Sequence, residues 1–113
     1  MSWEILIHPE VEEWLSTLTD KEYMQVSAAI EALRIKGPLL GRPLADQIKG
    51  SRIHKLKELR PLGTKIRILF YFDKARRATP LVAGDKSSDW KDWYRTRINL
   101  AERRIELKES ENG

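Results

Sequence analysis

The chain has 113 residues, no cysteine and a formal net charge of +4. This length fits one domain with its own core, so we expect a single domain over residues 1–113. The lack of cysteine excludes disulfides and zinc–thiolate sites. Since no apolar run reaches the length of a membrane span and the N-terminus lacks a signal-peptide pattern, we expect a cytoplasmic protein without a membrane partner.

The N-terminal part predicts one strand and two helices. Residues 2–7 alternate and are rich in aromatic and β-branched side chains, which favours a short strand. Apolar residues then recur at helical spacing over residues 11–18. Thr19 and Glu22 form a capping-box pattern that opens a second helix, which ends at Gly37. Because almost nothing joins the two helices, we expect them to form an antiparallel hairpin.

The middle of the chain predicts an antiparallel meander. Residues 37–51 are rich in Gly and Pro, so we expect a loop there that could hold a turn of helix at 44–48. Period-two patterns then predict three strands, at 53–59, 65–72 and 79–84, joined by short turns.

The C-terminal part predicts a last helix that runs to about Lys108. Ser88 or Asp89 could cap it. Its buried stripe would consist of Trp90, Tyr94, Ile98, Ala101 and Ile105. The order β-α-α-β-β-β-α indicates an α+β fold, with a mostly antiparallel sheet packed against an N-terminal helical hairpin and a C-terminal helix, and with the helices on one side.

Positive charge is concentrated in the second half of the chain. Residues 1–50 hold five Lys/Arg and eight Asp/Glu, a net charge of −3, whereas residues 51–113 hold sixteen and nine, a net charge of +7. The densest stretch runs from Arg52 to Arg67, with six cations and one acid, Glu58. This distribution favours a nucleic-acid-binding face. The alternative is a solvated surface rich in Lys and Arg.

The alternation of side chains divides these cations between two faces of the sheet. In the strand at 53–59, Glu58 shares a face with His54, Leu56 and, if the strand continues, Arg60. Lys55 and Lys57 point to the other face, so the six cations cannot all serve one phosphate.

Arg67 stands in an otherwise apolar strand. Its neighbours Ile66, Ile68, Phe70 and Phe72 should meet the helices, whereas Arg67 points the other way with Lys65, Leu69 and Tyr71. A half-buried Arg needs a partner. That partner is either Glu58, in an internal salt bridge, or a phosphate.

The segment from Gly84 to Tyr94 connects the last strand to the last helix, which is a common place for ligand contacts. Lys86 is a candidate phosphate contact, and Trp90, Trp93 and Tyr94 are candidates for base stacking. The alternative for Trp90 and Tyr94 is a place in the core, which we favour for Trp90. The Tyr94 hydroxyl also allows an acid–base role.

Other chemistry has no motif in this chain. There is no HExxH and no Gly-rich phosphate loop, and His8 and His54 lack metal-ligand spacing. We therefore expect neither a metal nor a cofactor.

Three segments, in this order and spacing, resemble the RelE/HigB superfamily, the toxins of type II toxin–antitoxin systems, and its phage-derived HigB-like subfamily. They are LKELR at 56–60, KIRILFY at 65–71 and LVAGDK at 81–86. The resemblance implies a RelE/ParE-like fold and an endoribonuclease (mRNA interferase) that cuts mRNA in the ribosomal A site. It also implies a cognate antitoxin, for which we expect a helix-turn-helix protein.

The resemblance also implies site residues. They are the catalytic candidates Lys57, Arg60, Arg67, Lys86 and Tyr94. The RNA-binding candidates follow instead from the charge and aromatic patterns and are Arg52, Lys55, Lys65, Trp90 and Trp93. The best-known members have an Arg/Lys pair shortly before the Tyr, whereas here seven residues separate Lys86 from Tyr94.

The implied reaction is attack by the RNA's own 2′-hydroxyl on the adjacent phosphorus. Lys57 or Glu58 would be the base, Arg60 and Arg67 would clamp the phosphate, and Lys86 or Tyr94 would protonate the leaving oxygen. Two other functions remain open. ParE toxins share the fold but inhibit DNA gyrase by binding it, and the chain could also be a non-catalytic nucleic-acid-binding module.

Overall fold

The computed structural model describes residues 2–49, 55–86 and 90–112. The predicted α+β class is confirmed, with one strand more than expected in this part of the chain. The elements are β1 (Glu4–Ile5), α1 (Pro9–Leu15), α2 (Asp20–Lys36), a short 3-10 turn (Gly37–Leu39), β2 (Ala45–Gln47), β3 (Lys57–Leu59), β4 (Ile66–Phe72), β5 (Arg77–Asp85) and α3 (Trp90–Asn112).

The five strands form one sheet in the order β1-β5-β4-β3-β2. β1 pairs with β5 in parallel. The β3–β4 and β4–β5 pairs are antiparallel, as predicted for the meander, and the additional β2–β3 pair is antiparallel as well. Only Lys57–Leu59 of the strand predicted at 53–59 is strand among the described residues. Residues 53 and 54 lie outside them, as do the predicted helix caps Ser88 and Asp89.

The predicted turn of helix at 44–48 is wrong, because this segment forms β2. Ala45 pairs with Leu59, Asp46 with Glu58, and Gln47 with Lys57 of β3. Ala45 is buried in the core. A three-residue strand is too short for its alternation to be recognised, and it exists here because β3 supplies its hydrogen bonds.

The start of α2 follows the predicted capping box. The Thr19 hydroxyl accepts a hydrogen bond from the backbone N–H of Glu22 at 3.2 Å, and the Glu22 carboxylate accepts one from the N–H of Thr19 at 3.0 Å. These two bonds satisfy donors that a helix otherwise leaves without partners.

The helices cover both faces of the sheet, so the expected one-sided arrangement is wrong. Val26, Ala29 and Leu33 of α2 pack against Ile66, Ile68 and Phe70, on the face predicted to meet the helices. Ala101 and Ile105 of α3 pack on the opposite face against Leu69 and Tyr71. The physical reason is that β4 is apolar on both faces, and each face has to be covered from water.

The predicted stripe of α3 is correct except at its first residue. Ala101 and Ile105 are buried, and Tyr94 and Ile98 pack against the same cluster. Trp90, however, is 54% exposed. Within the described residues, no helix is both long and apolar enough to span a membrane.

Candidate active site

The centre of the site is the carboxylate of Glu58, on the face of β3 that is turned toward α3. Glu58 is only 3% exposed. The Tyr94 hydroxyl donates a hydrogen bond to Glu58 Oε2 at 2.6 Å, and Arg60 Nε donates one to Glu58 Oε1 at 2.7 Å. A buried carboxylate needs such partners, and here both of its oxygens are held.

Tyr94 comes from the first turns of α3 and is half-buried. Burial, and then the neighbouring Glu58 carboxylate, raise the pKa of Tyr94 to about 12. The hydroxyl therefore stays protonated at neutral pH and remains a hydrogen-bond donor to Glu58.

Arg60 follows β3 and is shared between two carboxylates. Its Nη2 lies 2.7 Å from Glu58 Oε1 and 3.5 Å from Asp46 Oδ2. Burial by itself lowers the pKa of Arg60, but the hydrogen bond and charge of Glu58 together with Asp46 outweigh it and raise the pKa. Arg60 is thus a permanent cation at the mouth of the site.

Arg67 of β4 lies on the same face as Glu58, as the alternation predicted. Its Nη1 donates to the Ile66 carbonyl at 2.7 Å. Its Nε is buried and has no hydrogen-bond partner among the described residues. The internal salt bridge considered for Arg67 and Glu58 is not formed, because Arg60 and Tyr94 occupy the carboxylate. An unsatisfied buried donor is unfavourable, and an external acceptor such as a phosphate oxygen would relieve it.

Lys86 follows β5 and completes the cationic side of the site. Its Nζ lies 5.6 Å from the centroid of the Tyr94 ring. Burial, followed by the positive charge of Arg67, lowers the pKa of Lys86, although Glu58 opposes this shift. Three cations, Arg60, Arg67 and Lys86, therefore act on one another around Glu58.

Two clefts open on either side of Trp90 and Tyr94. One, of about 470 Å³, is lined by Asp46, Glu58 and Arg60 as well as by both aromatic residues. The other, of about 390 Å³, is lined by Lys65 and Lys86 and the same two residues. The core position that we favoured for Trp90 is wrong. Its ring contacts Tyr94 edge-on and has Lys91 Nζ over it, but it is exposed enough to stack on a base.

The structure does not bring Lys57 to this cluster. The Lys57 Nζ lies 5.5 Å from the centroid of Phe72, on the face covered by α2. Lys55 is exposed before β3, and Arg52 lies outside the described residues.

Trp93 packs against the sheet beside Tyr94. Its Nε1 lies 2.7 Å from the position that a Cβ on Gly84 would take. Its ring centroid is 5.1 Å from that of Tyr94. This position favours a supporting role for Trp93 over contact with a base.

Sequence reasoning missed Asp46 and Arg42. Arg42 Nε donates to Asp46 Oδ2 at 2.9 Å, which extends the chain of charges outward from Arg60. Asp46 could have been identified through the strand pairing that places it opposite Glu58. Because β2 was not recognised as a strand, this pairing was not predicted. In the described part of the chain, no three His, Asp or Glu residues are grouped so that they could hold a metal ion.

Comparison with known proteins relates the chain to a family. The family described as "Phage derived protein Gp49-like (DUF891)" matches residues 13–106. The chain is 46% identical over 102 residues to a Mycobacterium tuberculosis protein named "Putative toxin HigB3", covering 90% of each chain. It is 45% identical over 95 residues to HigB2 of the same organism, covering 81% of this chain and 47% of that longer protein.

Solved structures show the same fold at low sequence identity. A mutant of the Escherichia coli toxin RelE in the free state aligns with a TM-score of 0.67 and 9% identity, over 93% of this chain and 99% of that one. A chain of the archaeal RelE–RelB complex from Pyrococcus horikoshii aligns with a TM-score of 0.64 and 17% identity, over 78% and 99%. The family match and the two mycobacterial relatives show that the chain belongs to the Gp49-like, phage-derived family of HigB-type toxins.

Proposed function

We propose that this toxin is an endoribonuclease, a single domain that cuts mRNA on the ribosome in the cytoplasm and so stops translation. The observation that carries the proposal is the Glu58 carboxylate, held by Tyr94 at 2.6 Å and surrounded by Arg60, Arg67 and Lys86 on one face of the sheet. This arrangement supplies a base, a clamp for an anion and a proton donor. These are the three groups that RNA cleavage by its own 2′-hydroxyl requires.

The reaction uses no outside nucleophile and no metal ion. The 2′-oxygen forms a bond to phosphorus while the bond from phosphorus to the 5′-oxygen breaks. The products are a 2′,3′-cyclic phosphate and a 5′-hydroxyl. Glu58 accepts the proton of the 2′-hydroxyl, a role for which its position in the 470 Å³ cleft suits it. Lys57 is not used, because it lies on the other face of the sheet.

The cations stabilise the charge that develops on the phosphate. The buried Nε of Arg67 has no partner in the part of the chain that the structure describes, and Arg60 lines the cleft. Fixed donors of this kind contribute about 3–4 kcal/mol each to the transition state. Lys86 protonates the leaving 5′-oxygen, since its lowered pKa makes it a stronger acid than an ordinary lysine. Tyr94 remains protonated and orients Glu58.

Two partners belong to this proposal. One is mRNA in the ribosome, with Trp90 stacking on a base and Lys65 attracting the backbone. The other is a cognate antitoxin of the helix-turn-helix class. The likeness in fold to a chain of a RelE–RelB complex supports an antitoxin partner.

The test is primer extension on mRNA from cells that express the toxin. Discrete cuts within translated frames, with 5′-hydroxyl ends, are the expected result. Growth arrest with intact mRNA and gyrase-linked DNA damage would instead identify a gyrase inhibitor. RNA binding without cleavage would identify a binding module.

The matched variants are Arg67→Ala and Lys74→Ala, which remove the same charge. Lys74 is exposed in the turn after β4, at the other end of that strand from Arg67. Arg67→Ala should abolish the cuts and the growth arrest, whereas Lys74→Ala should retain both. Full growth arrest by Arg67→Ala at equal expression would show that Arg67 is not the phosphate clamp.

A further inference from the structure

Asp46 and Glu58 face each other across the pairing of β2 with β3. Two carboxylates at directly opposite positions of a sheet repel each other. The cation between them is Arg60, whose Nη2 lies 2.7 Å from Glu58 Oε1 and 3.5 Å from Asp46 Oδ2. The pairing of the two strands therefore fixes where the guanidinium lies.

The contacts of Arg60 involve one edge of its guanidinium. Within the described residues, its hydrogen bond and ion pairs to carboxylates all use Nε and Nη2. The other edge, which carries Nη1, is left for a ligand in the cleft that Arg60 lines. A guanidinium donates in a rigid fork, so fixing one edge also fixes the direction of the other.

Asp46 is itself held by hydrogen bonds from two residues that line the same cleft. Arg42 Nε donates to its Oδ2 at 2.9 Å, and the backbone N–H of Gln47 donates to its Oδ1 at 2.8 Å. These two bonds, the backbone one first, lower the pKa of Asp46, so that it stays ionised at neutral pH.

We propose that Asp46 is a positioning residue, which together with Glu58 holds one edge of Arg60 and directs its Nη1 toward the RNA phosphate. The inference rests on the proposed ribonuclease activity. Asp46 lines the cleft, but in this scheme it contacts neither the phosphate nor the reacting atoms, and it acts only through Arg60.

The variant Asp46→Asn distinguishes this positioning role from a purely electrostatic effect of Asp46 on RNA binding. The substitution removes a negative charge from a site for a polyanion, so a purely electrostatic effect would tighten RNA binding and leave kcat unchanged. A positioning role predicts the opposite, a kcat lower by about 10- to 100-fold, because a reacting group is misplaced. The measurement is single-turnover cleavage of mRNA on programmed ribosomes, together with the affinity for a non-cleavable 2′-O-methyl RNA of the same sequence.

Three controls accompany this variant. Glu31→Gln makes the same change in net charge on α2, where Glu31 pairs with Arg34, and it should cleave like the wild type. Asp46→Glu keeps the charge but shifts the carboxylate, so its kcat should lie between those of the wild type and Asp46→Asn. Thermal unfolding checks that each variant is folded. If Asp46→Asn is unfolded, the result for Asp46→Glu decides, and wild-type kcat in that variant overturns the inference.

Different results would overturn the positioning role of Asp46 and the proposed ribonuclease function. Normal cleavage by folded Asp46→Asn, with equal or tighter RNA binding, overturns the positioning role alone. A wild-type protein that binds RNA without cutting it overturns the proposed function. Weaker binding by Asp46→Asn would then still support the positioning of Arg60, and equal or tighter binding would overturn it. A wild-type protein that neither cuts nor binds RNA overturns both.

Discussion

The hydroxyl of Tyr94 lies 2.6 Å from Glu58 Oε2 and joins the first turns of α3 to the short strand β3. The two residues are 36 positions apart in the sequence. Their bond links the element that carries the proposed base to the helix that covers it. Packing of the helix and orientation of the carboxylate therefore depend on the same contact.

Replacement of Tyr94 by Phe should reduce both stability and activity. Glu58 Oε2 would be left buried without its donor, which costs about 1–3 kcal/mol in free energy of unfolding. Cleavage should fall at least about 10-fold, because the base loses its orientation. Urea denaturation and the cleavage assay measure these effects. Tyr23→Phe is the control, since Tyr23 is exposed on α2, and it should change neither quantity.

The two raised tyrosine pKa values predict a loss of stability at alkaline pH. Burial is the first cause of the rise to about 12 for both Tyr71 and Tyr94. An unfolded chain ionises its tyrosines near pH 10. The folded state therefore holds more protons between about pH 10 and 12, and the free energy of unfolding should fall as the pH rises through this range.

Urea denaturation at a series of pH values tests this prediction. Tyr71→Phe is informative because the Tyr71 hydroxyl is buried without a hydrogen-bond partner among the described residues. This variant should show a shallower decline than the wild type. Identical declines would mean that Tyr71 ionises normally in the folded protein.

Lys86 should set the alkaline limit of cleavage. A general acid must be protonated to act, so the rate falls as the pH rises through its pKa. Burial and then Arg67 lower the pKa of Lys86, which places this fall below the pH at which an ordinary lysine titrates. Lys86→Arg should move the fall to higher pH or remove it. A profile of kcat against pH is the measurement, and an unchanged alkaline limb in this variant would assign the acid to another residue.

The variants Lys57→Ala and Arg60→Ala test which face of the sheet carries the toxic activity. Lys57 lies over Phe72 on the face covered by α2, whereas Arg60 contacts Glu58. We expect growth arrest to persist in Lys57→Ala and to be lost in Arg60→Ala at equal expression. Loss of toxicity in a folded Lys57→Ala protein would return Lys57 to the list of catalytic residues.

Gly84→Ala should disturb the site indirectly. Its new methyl group would lie 2.7 Å from Trp93 Nε1, so the indole, which also contacts Tyr94, would have to move. Overpacking of this kind costs about 1–3 kcal/mol, and cleavage should fall with it. Gly41→Ala is the matched control because nothing lies within 4 Å of its added methyl group. Thermal unfolding and the cleavage assay distinguish the two variants.

Local patterns were sufficient for much of the fold and for part of the site. The capping box of Thr19 and Glu22 depends on residues three apart, and the faces of β4 follow from its alternation. The same alternation put Arg67 and Glu58 on one face and Lys57 on the other, as the structure confirms. The resemblance to the RelE/HigB superfamily also came from short segments, and the family match supports it.

Contacts between distant parts of the chain decided the rest. β2 has three residues and exists only because β3 pairs with it. The side of the sheet that α3 covers follows from apolar surface on both faces of β4. Several cations and a tyrosine were candidate partners for the Glu58 carboxylate, and the sequence pattern did not select among them. Arg60 and Tyr94 hold its oxygens, whereas the buried Nε of Arg67 has no partner within residues 2–49, 55–86 and 90–112. Alternation specifies the direction of a side chain, but its partner depends on which elements the folded chain brings within hydrogen-bonding distance.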